Sequence, residues 1–248
     1  MHDQELQGRV AVITGAGRSI GRAMALELAA GGAAVVVNVR QNRAEAEAVV
    51  KEIEGKGGKA MVALADVVDA SAVNAMAKAT LDRFGRIDYL INNVALRQEK
   101  GIEHMTFEDW RKVIGVTLDG AFHCVKACLE AIKKSDAGSI INVGGLTGAM
   151  GAPDRLHVVT AKAGIAGFTR GLAMELALHK VTVNTLVPAM LAKPDKPHEI
   201  PAHPIYRPLL GRAAWPTDIA PLARFLVGPG ARYLTGQLIN VNGGTYFG

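Results

Sequence analysis

Seven short apolar runs alternate with longer amphipathic segments along this chain, and this alternation constrains the fold more than any other feature. The runs are typical of β-strands and cover residues 9–14, 33–39, 59–65, 87–92, 139–143, 181–187 and 237–242. Because most of them are apolar at nearly every position, both faces of their sheet must be covered. The pattern predicts a doubly wound, Rossmann-like α/β fold: a seven-stranded parallel sheet with helices on both faces.

The composition fits one domain over residues 1–248, with 49% apolar and 21% charged residues. No apolar run approaches the roughly 18 residues of a membrane span, and the first ten residues lack a signal peptide's apolar segment. We therefore expect a cytoplasmic protein with no membrane partner. The net charge of +5 is scattered along the chain, which predicts no nucleic-acid partner. The histidines lack clustered carboxylates, so no metal site is expected.

One segment, residues 188–210, stands apart from the alternating pattern. Six of the ten prolines lie within residues 188–208. A long loop inside a domain of this size is usually functional, so the segment is predicted to be a substrate lid. A plain surface loop is the alternative.

The first predicted strand leads directly into the sequence TGAGRSIG, residues 14–21, at the start of a helix. Glycines in such a turn let the backbone approach a ligand closely, and the helix start offers free N–H groups to a pyrophosphate. The turn is therefore predicted to bind a dinucleotide cofactor through Gly15, Gly17, Arg18, Ser19, Ile20 and Gly21.

The end of the second strand indicates which cofactor is bound. Folds that bind NAD usually place an acidic residue there, to hold the ribose 2′-hydroxyl. Here Val39 and Arg40 stand at that point. A guanidinium suits a 2′-phosphate, and Arg18 in the glycine turn adds a second positive charge. We therefore predict NADP(H) as the cofactor.

Further motifs follow the glycine turn in order: ADV (65–67), INNVA (91–95), VTVNTLVPAM (181–190) and YLTGQLINVNGG (233–244). With them the chain resembles the short-chain dehydrogenase/reductase family over nearly its whole length, and 3-oxoacyl carrier-protein reductases in particular. The resemblance implies a small-molecule substrate and a homotetramer. It also implies cofactor contacts from Asp66, Val67, Asn92, Asn93, Pro188 and Leu191.

The catalytic group of that family departs from its usual form here. The family uses an Asn, a Ser, and a Tyr and Lys spaced as YxxxK. Aligned on these motifs, Lys162 matches the lysine, whereas Val158 stands at the tyrosine position, Gly145 at the serine position and Thr117 at the asparagine position. The resemblance implies that Lys162 holds the nicotinamide ribose even where no reaction follows.

His157, in the sequence HVVTAK, is the candidate replacement acid, because imidazole titrates near neutral pH. Residues four apart share a helix face, so Val158 and not His157 lies on the face of Lys162. Weaker candidates near the site are Arg97, which suits an anionic substrate, and His198, His203 and Tyr206 in the lid segment.

The sequence thus predicts an NADPH-dependent reductase of a carbonyl or conjugated carbonyl compound, 3-oxoacyl or similar, with an atypical proton donor. Two alternatives stay open. One is conjugate reduction of the dienoyl- or enoyl-CoA type, in which an enolate takes its proton from water. The other is an NADP(H)-binding sensor or structural subunit without turnover.

Overall fold

A computed structural model describes residues 4–192 and 206–248 of the chain. Seven parallel strands form one sheet in the order β3–β2–β1–β4–β5–β6–β7. The strands are β1 Val10–Ile13, β2 Ala34–Val39, β3 Ala60–Leu64, β4 Tyr89–Asn92, β5 Ser139–Val143, β6 Thr182–Pro188 and β7 Leu238–Val241. The predicted doubly wound fold is confirmed, and each strand lies at its predicted place within three residues.

Eight α-helices connect or flank these strands within the described ranges. They are α1 Ser19–Ala30, α2 Arg43–Gly55, α3 Ala70–Phe84, α4 Phe107–Ile114, α5 Gly120–Lys134, α6 Thr147–Met150, α7 Leu156–Leu176 and α8 Pro216–Val227. None of the helices in these ranges is long and apolar enough to cross a membrane.

Two apolar layers cover the faces of the sheet. On one face, side chains of α1, α2 and α8 pack against the strands; on the other, those of α3, α5 and α7 do so. All residues of β1, β2, β4, β5 and β6 are buried. This explains why the strands read as continuous apolar runs without polar alternation.

A chain of polar side chains crosses the centre of this core. The Nδ2 of Asn92 donates to Oδ1 of Asn142 at 2.8 Å, and the Nδ2 of Asn142 donates to Oγ1 of Thr169 at 2.9 Å. The hydroxyl of Thr185 donates to the same Thr169 oxygen at 2.7 Å. Strands β4, β5 and β6 are thereby tied to α7 by buried hydrogen bonds, which fix one arrangement of these elements.

Between α4 and α5 the helix widens into a π-helical turn, Gly115–Asp119. Such single π-helical turns are rare in proteins, and those that occur often lie at functional sites. This turn packs against α7: a Cβ placed on Gly164 would lie 2.9 Å from Cδ1 of Leu118. The turn therefore places Thr117 near α7, the helix that contains Lys162.

Only the ends of the predicted lid lie within the described residues. On its first side, Leu191 pairs with Ala214 in an isolated bridge. On its second side, the hydroxyl of Tyr206 donates to the carbonyl oxygen of Gly151 at 2.7 Å. Residues 193–205, with His198 and His203, lie outside the described part of the chain. The lid stays a prediction.

Candidate cofactor and reaction site

The glycine turn after β1 is packed too tightly for side chains. Gly15 has φ +63°, a conformation that favours glycine. A Cβ on Gly21 would lie 2.2 Å from the carbonyl oxygen of Gly15, and one on Gly17 would lie 2.9 Å from Cγ1 of Val39. The backbone of the turn therefore stays bare at these positions.

Helix α1 begins directly after this turn. Among the described residues, no side chain accepts a hydrogen bond from its first backbone N–H groups. Arg18 occupies the N-cap position and makes no side-chain cap, and the first turn holds no acidic residue. Helix N-termini of this kind bind phosphate through free N–H groups and the positive end of the dipole. Ser19, the first residue of α1, takes φ +51°, in the left-handed region.

Two predicted cofactor residues, Asn92 and Asn93, are engaged with the protein. The Nδ2 of Asn93 donates to the carbonyl oxygens of Thr14 at 2.9 Å and Gly15 at 3.2 Å, so Asn93 braces the glycine turn. The side chain of Asn92 faces Asn142 in the core chain described above. A direct cofactor contact from either stays a prediction.

Beside the turn lies a cleft of about 380 Å³ at the carboxyl ends of β1, β2 and β3. The structure brings six predicted cofactor residues together in its walls: Gly15, Gly17, Arg18, Arg40, Asp66 and Val67. The cleft wall also includes residues that the sequence did not predict, among them Glu45, Leu96 and Lys112. Both arginines are exposed and form no ion pair within residues 4–192 and 206–248.

Lys162 lies at the carboxyl end of β5, at the same edge of the sheet. Its Nζ donates to the carbonyl oxygen of Val143 at 2.7 Å. Burial, with a smaller contribution from the Arg97 guanidinium, lowers the pKa of Lys162 to about 7. An amine in this environment exchanges a proton near neutral pH, which is unusual for lysine.

Val158 and Gly145 are the residues that the resemblance places at the family's two hydroxyl positions. Val158 is buried and packs with Val113 and Ala161 in a small apolar cluster. Gly145 faces the lysine: a Cβ there would lie 3.5 Å from Cγ of Lys162, which is ordinary contact. The structure therefore offers no phenol or serine hydroxyl at positions 158 and 145.

A second recess, of about 700 Å³, lies between α7 and the β6–β7 edge. Gly144, Gly145 and Lys162 contribute to its wall, as do Arg170 and Tyr246. The glycine pair thus borders open space beside the lysine. At Gly144 that space is limited, since a Cβ would lie 2.7 Å from Cγ2 of Thr185.

His157 lies in the first turn of α7 and its side chain is fully buried. Neither ring nitrogen has a hydrogen-bond partner among the described residues. The ring continues the buried stripe of Ala161 and Ile165 rather than the face of Lys162. Its role as replacement acid stays a prediction, and the start of α7 must open before any substrate reaches it.

Thr117 and the two predicted nicotinamide-side residues are placed by backbone features. Thr117 is buried in the π-helical turn. Pro188 ends β6 in register with Val241 of β7, and Leu191 packs against the main core. Their contacts with a cofactor or substrate stay predictions.

With this geometry established, the comparisons with known proteins identify the family. The sequence matches the short chain dehydrogenase family over residues 9–201. It is 43% identical over 241 residues to a 3-oxoacyl-[acyl-carrier-protein] reductase from Synechocystis, covering 96% of this chain and 97% of that protein. The chain belongs to the short-chain dehydrogenase/reductase family, whose members are oxidoreductases that bind a nicotinamide cofactor.

Solved structures give the same result. A dehydrogenase/reductase from Sinorhizobium meliloti superposes with a TM-score of 0.91 at 32% identity, covering 97% of this chain and 96% of that one. A blue fluorescent protein from a metagenomic library, in complex with NADPH, superposes with a TM-score of 0.90 at 29% identity. In that case 98% of this chain and 99% of that one are covered.

Proposed function

We propose that this protein is an NADP(H)-dependent reductase that delivers hydride to a carbonyl or conjugated carbonyl compound, 3-oxoacyl or similar. The observation that carries the proposal is the position of Lys162. Its amine contacts the last carbonyl of β5, and its side chain lines the second recess together with Gly145, while Gly145 and Val158 supply no hydroxyl. In this proposal the lysine is the one member of the family's catalytic group that this site retains.

The residues of the cleft fit NADP(H). The bare turn and the uncapped start of α1 suit the pyrophosphate. Arg18 and Arg40 lie in one cleft and neither is engaged in an ion pair in the described ranges, so both charges suit a 2′-phosphate. The NADPH-bound structure that superposes on this chain supports this choice. When bound, the reduced nicotinamide supplies the hydride.

Lys162 holds the proton in this proposal. With a pKa of about 7, its ammonium form is present near neutral pH and donates readily. Hydride adds to the carbonyl carbon, and an Nζ proton moves to the oxygen, which becomes a hydroxyl. The amine left behind regains its proton from water. The third N–H of the ammonium also suits the nicotinamide ribose.

Conjugate reduction is the second candidate, and the missing hydroxyls favour it. Hydride addition to a conjugated carbon gives an enolate, and water can protonate this species without a phenol. The apolar cluster around Val158 is compatible with such a substrate. A cofactor-binding protein without turnover is the third candidate, since the cleft is intact and the reaction side is reduced to one amine.

The homotetramer is also a proposal. Three exposed apolar side chains support an interface: Phe122 on α5, Met174 on α7 and Leu178 in the 3-10 turn that follows α7. Light scattering of the purified chain tests it, and a monomer at micromolar concentration contradicts it.

One experiment separates the three candidates. Purified protein is mixed with NADPH and, in turn, a 3-oxoacyl thioester, a 2-enoyl or dienoyl thioester and a quinone, while NADPH absorbance is followed. We expect NADPH oxidation with the oxoacyl compound. Oxidation with the enoyl compounds alone selects conjugate reduction. Tight NADPH binding without any oxidation selects the protein without turnover.

A further inference from the structure

A carboxylate shares the cofactor cleft with the two arginines. Glu45 lines the same cleft as Arg18 and Arg40. A Cβ on Gly17 would lie 3.2 Å from Cβ and 3.3 Å from Oε2 of Glu45. The Glu45 carboxylate therefore lies directly against the glycine turn, although no acidic residue ends β2.

The start of α2 fixes Glu45 in this place. Glu45 is the third residue of the helix, and its backbone N–H donates to Oδ1 of the N-cap residue Asn42 at 3.3 Å. Its side chain is partly buried, and its carboxylate makes no hydrogen bond or ion pair with any residue in the described ranges. The oxygens are thus available to a ligand.

The other carboxylate of the cleft is already used. An oxygen of Asp66 accepts the backbone N–H of Val68 at 3.2 Å, which shapes the turn after β3. Glu45 is therefore the carboxylate that faces the cleft without an internal partner, as far as the described residues extend.

The cleft thus combines two opposed chemistries of ribose recognition. A carboxylate accepts hydrogen bonds from ribose hydroxyls, whereas guanidinium groups pair with a 2′-phosphate. A phosphate dianion placed among these side chains is attracted by Arg18 and Arg40 and repelled by the Glu45 carboxylate.

We propose that Glu45 sets the cofactor preference of this protein, by limiting the advantage of NADP(H) and by accepting a ribose hydroxyl of NAD(H). This inference rests on the nicotinamide cofactor of the proposed function. The preference for NADP(H) over NAD(H) is then modest in the wild type, and removal of the Glu45 charge increases it.

The test is binding of NADPH and NADH to wild type and Glu45→Gln, measured by calorimetry without substrate. The matched control is Glu47→Gln, which removes the same charge from the same helix. Glu47 lies outside the cleft, exposed and paired with Arg43 at 3.6 Å. Adenosine 2′,5′-bisphosphate and AMP, measured in parallel, isolate the ribose end from the nicotinamide end.

In Glu45→Gln we expect the ratio of the NADH to the NADPH dissociation constant to rise about tenfold. The same shift is expected between the two adenosine fragments, and Glu47→Gln leaves both ratios within twofold of wild type. Binding with an unchanged ratio in Glu45→Gln, or an equal shift in Glu47→Gln, overturns the role of Glu45 alone. Failure of wild type to bind either cofactor overturns the cofactor assignment and this inference together.

Discussion

The two ends of the site differ in what they demand of the sequence. The cofactor side, from β1 to the end of β3, depends on backbone: bare glycines, free N–H groups and a tight turn. The reaction side, from β5 through α7, depends on side-chain functional groups, of which Lys162 supplies an amine at the end of β5. The two sides therefore place different demands on the sequence: backbone geometry on one side and side-chain chemistry on the other.

Two glycines show the contrast in detail. A side chain at Gly21 would meet the backbone of Gly15 at 2.2 Å. A side chain at Gly145 would meet only the flexible chain of Lys162, at 3.5 Å. The fold requires glycine at position 21, whereas position 145 has room for a small side chain.

The largest effect on activity is expected from removing the amine of Lys162. Lys162→Met should lower kcat/KM for NADPH-dependent reduction by about 100-fold or more, because the proton donor is lost. Lys78→Met, which removes an exposed lysine paired with Asp82 on α3, is the matched control and should retain full activity. Activity retained in Lys162→Met would remove the lysine from the mechanism.

The pH dependence of the wild type sharpens this prediction. The ammonium form donates the proton, so kcat/KM should fall as the pH rises above about 7. Stability should move the opposite way. Between about 7 and the usual 10.5 the unfolded chain binds more protons than the folded one, so stability rises with pH. Thermal unfolding from pH 6 to 10 should show this slope in wild type and a smaller one in Lys162→Met.

Substituting alanine for Gly21 and for Gly145 tests directly whether the cofactor side is more constrained than the reaction side. Gly21→Ala should destabilise the fold by about 2–4 kcal/mol and abolish tight cofactor binding, because backbone must move. Gly145→Ala should stay within about 0.5 kcal/mol of wild type. Chemical denaturation and NADPH titration measure both. Equal losses at the two positions would show that the reaction side is as constrained as the cofactor side.

Adding hydroxyls at the two positions that the resemblance assigns to the family's tyrosine and serine should raise carbonyl reduction by about tenfold or more. The double variant Val158→Tyr with Gly145→Ser introduces a phenol and a hydroxyl at these positions. Serine fits at position 145, whereas tyrosine must displace part of the cluster around Val158. The two single variants are the controls. A double variant that folds and binds NADPH but shows no gain contradicts the view that only side chains are missing.

The smallest effect is expected at His157. Its buried ring has no hydrogen-bond partner among the residues that the structure describes, which costs free energy. His157→Leu should therefore raise the free energy of unfolding by about 1 kcal/mol and leave turnover unchanged. A large loss of turnover with intact folding would instead make His157 the proton donor.

Much of the fold and of the cofactor side could be predicted from the sequence, because those signals are local. Apolar runs, their spacing and the TGAGRSIG turn lie within short stretches. Arg18 and Arg40 were predicted to act together, and they do line one cleft. Lys162 was located by its motif, and the structure places it at the carboxyl end of β5.

The features that escaped prediction depend on residues distant in sequence. Glu45 enters the cleft only because the first turn of α2 folds back over Gly17. The lowered pKa of Lys162 requires burial and the approach of Arg97 from the loop after β4. The signal for Glu45 was present, as an acidic residue five positions after Arg40, but its direction depends on the Asn42 cap.

The polar chain through Asn142 and Thr169 has a consequence for how this scaffold can change. Thr169 lies seven residues beyond Lys162, two turns along α7, and it is anchored to β5 and β6. The position of the Lys162 amine relative to the sheet is therefore fixed by the buried core. Positions 145 and 158 can therefore be substituted one at a time while Lys162 keeps its place. Different acidic side chains can be introduced beside the same lysine and compared directly.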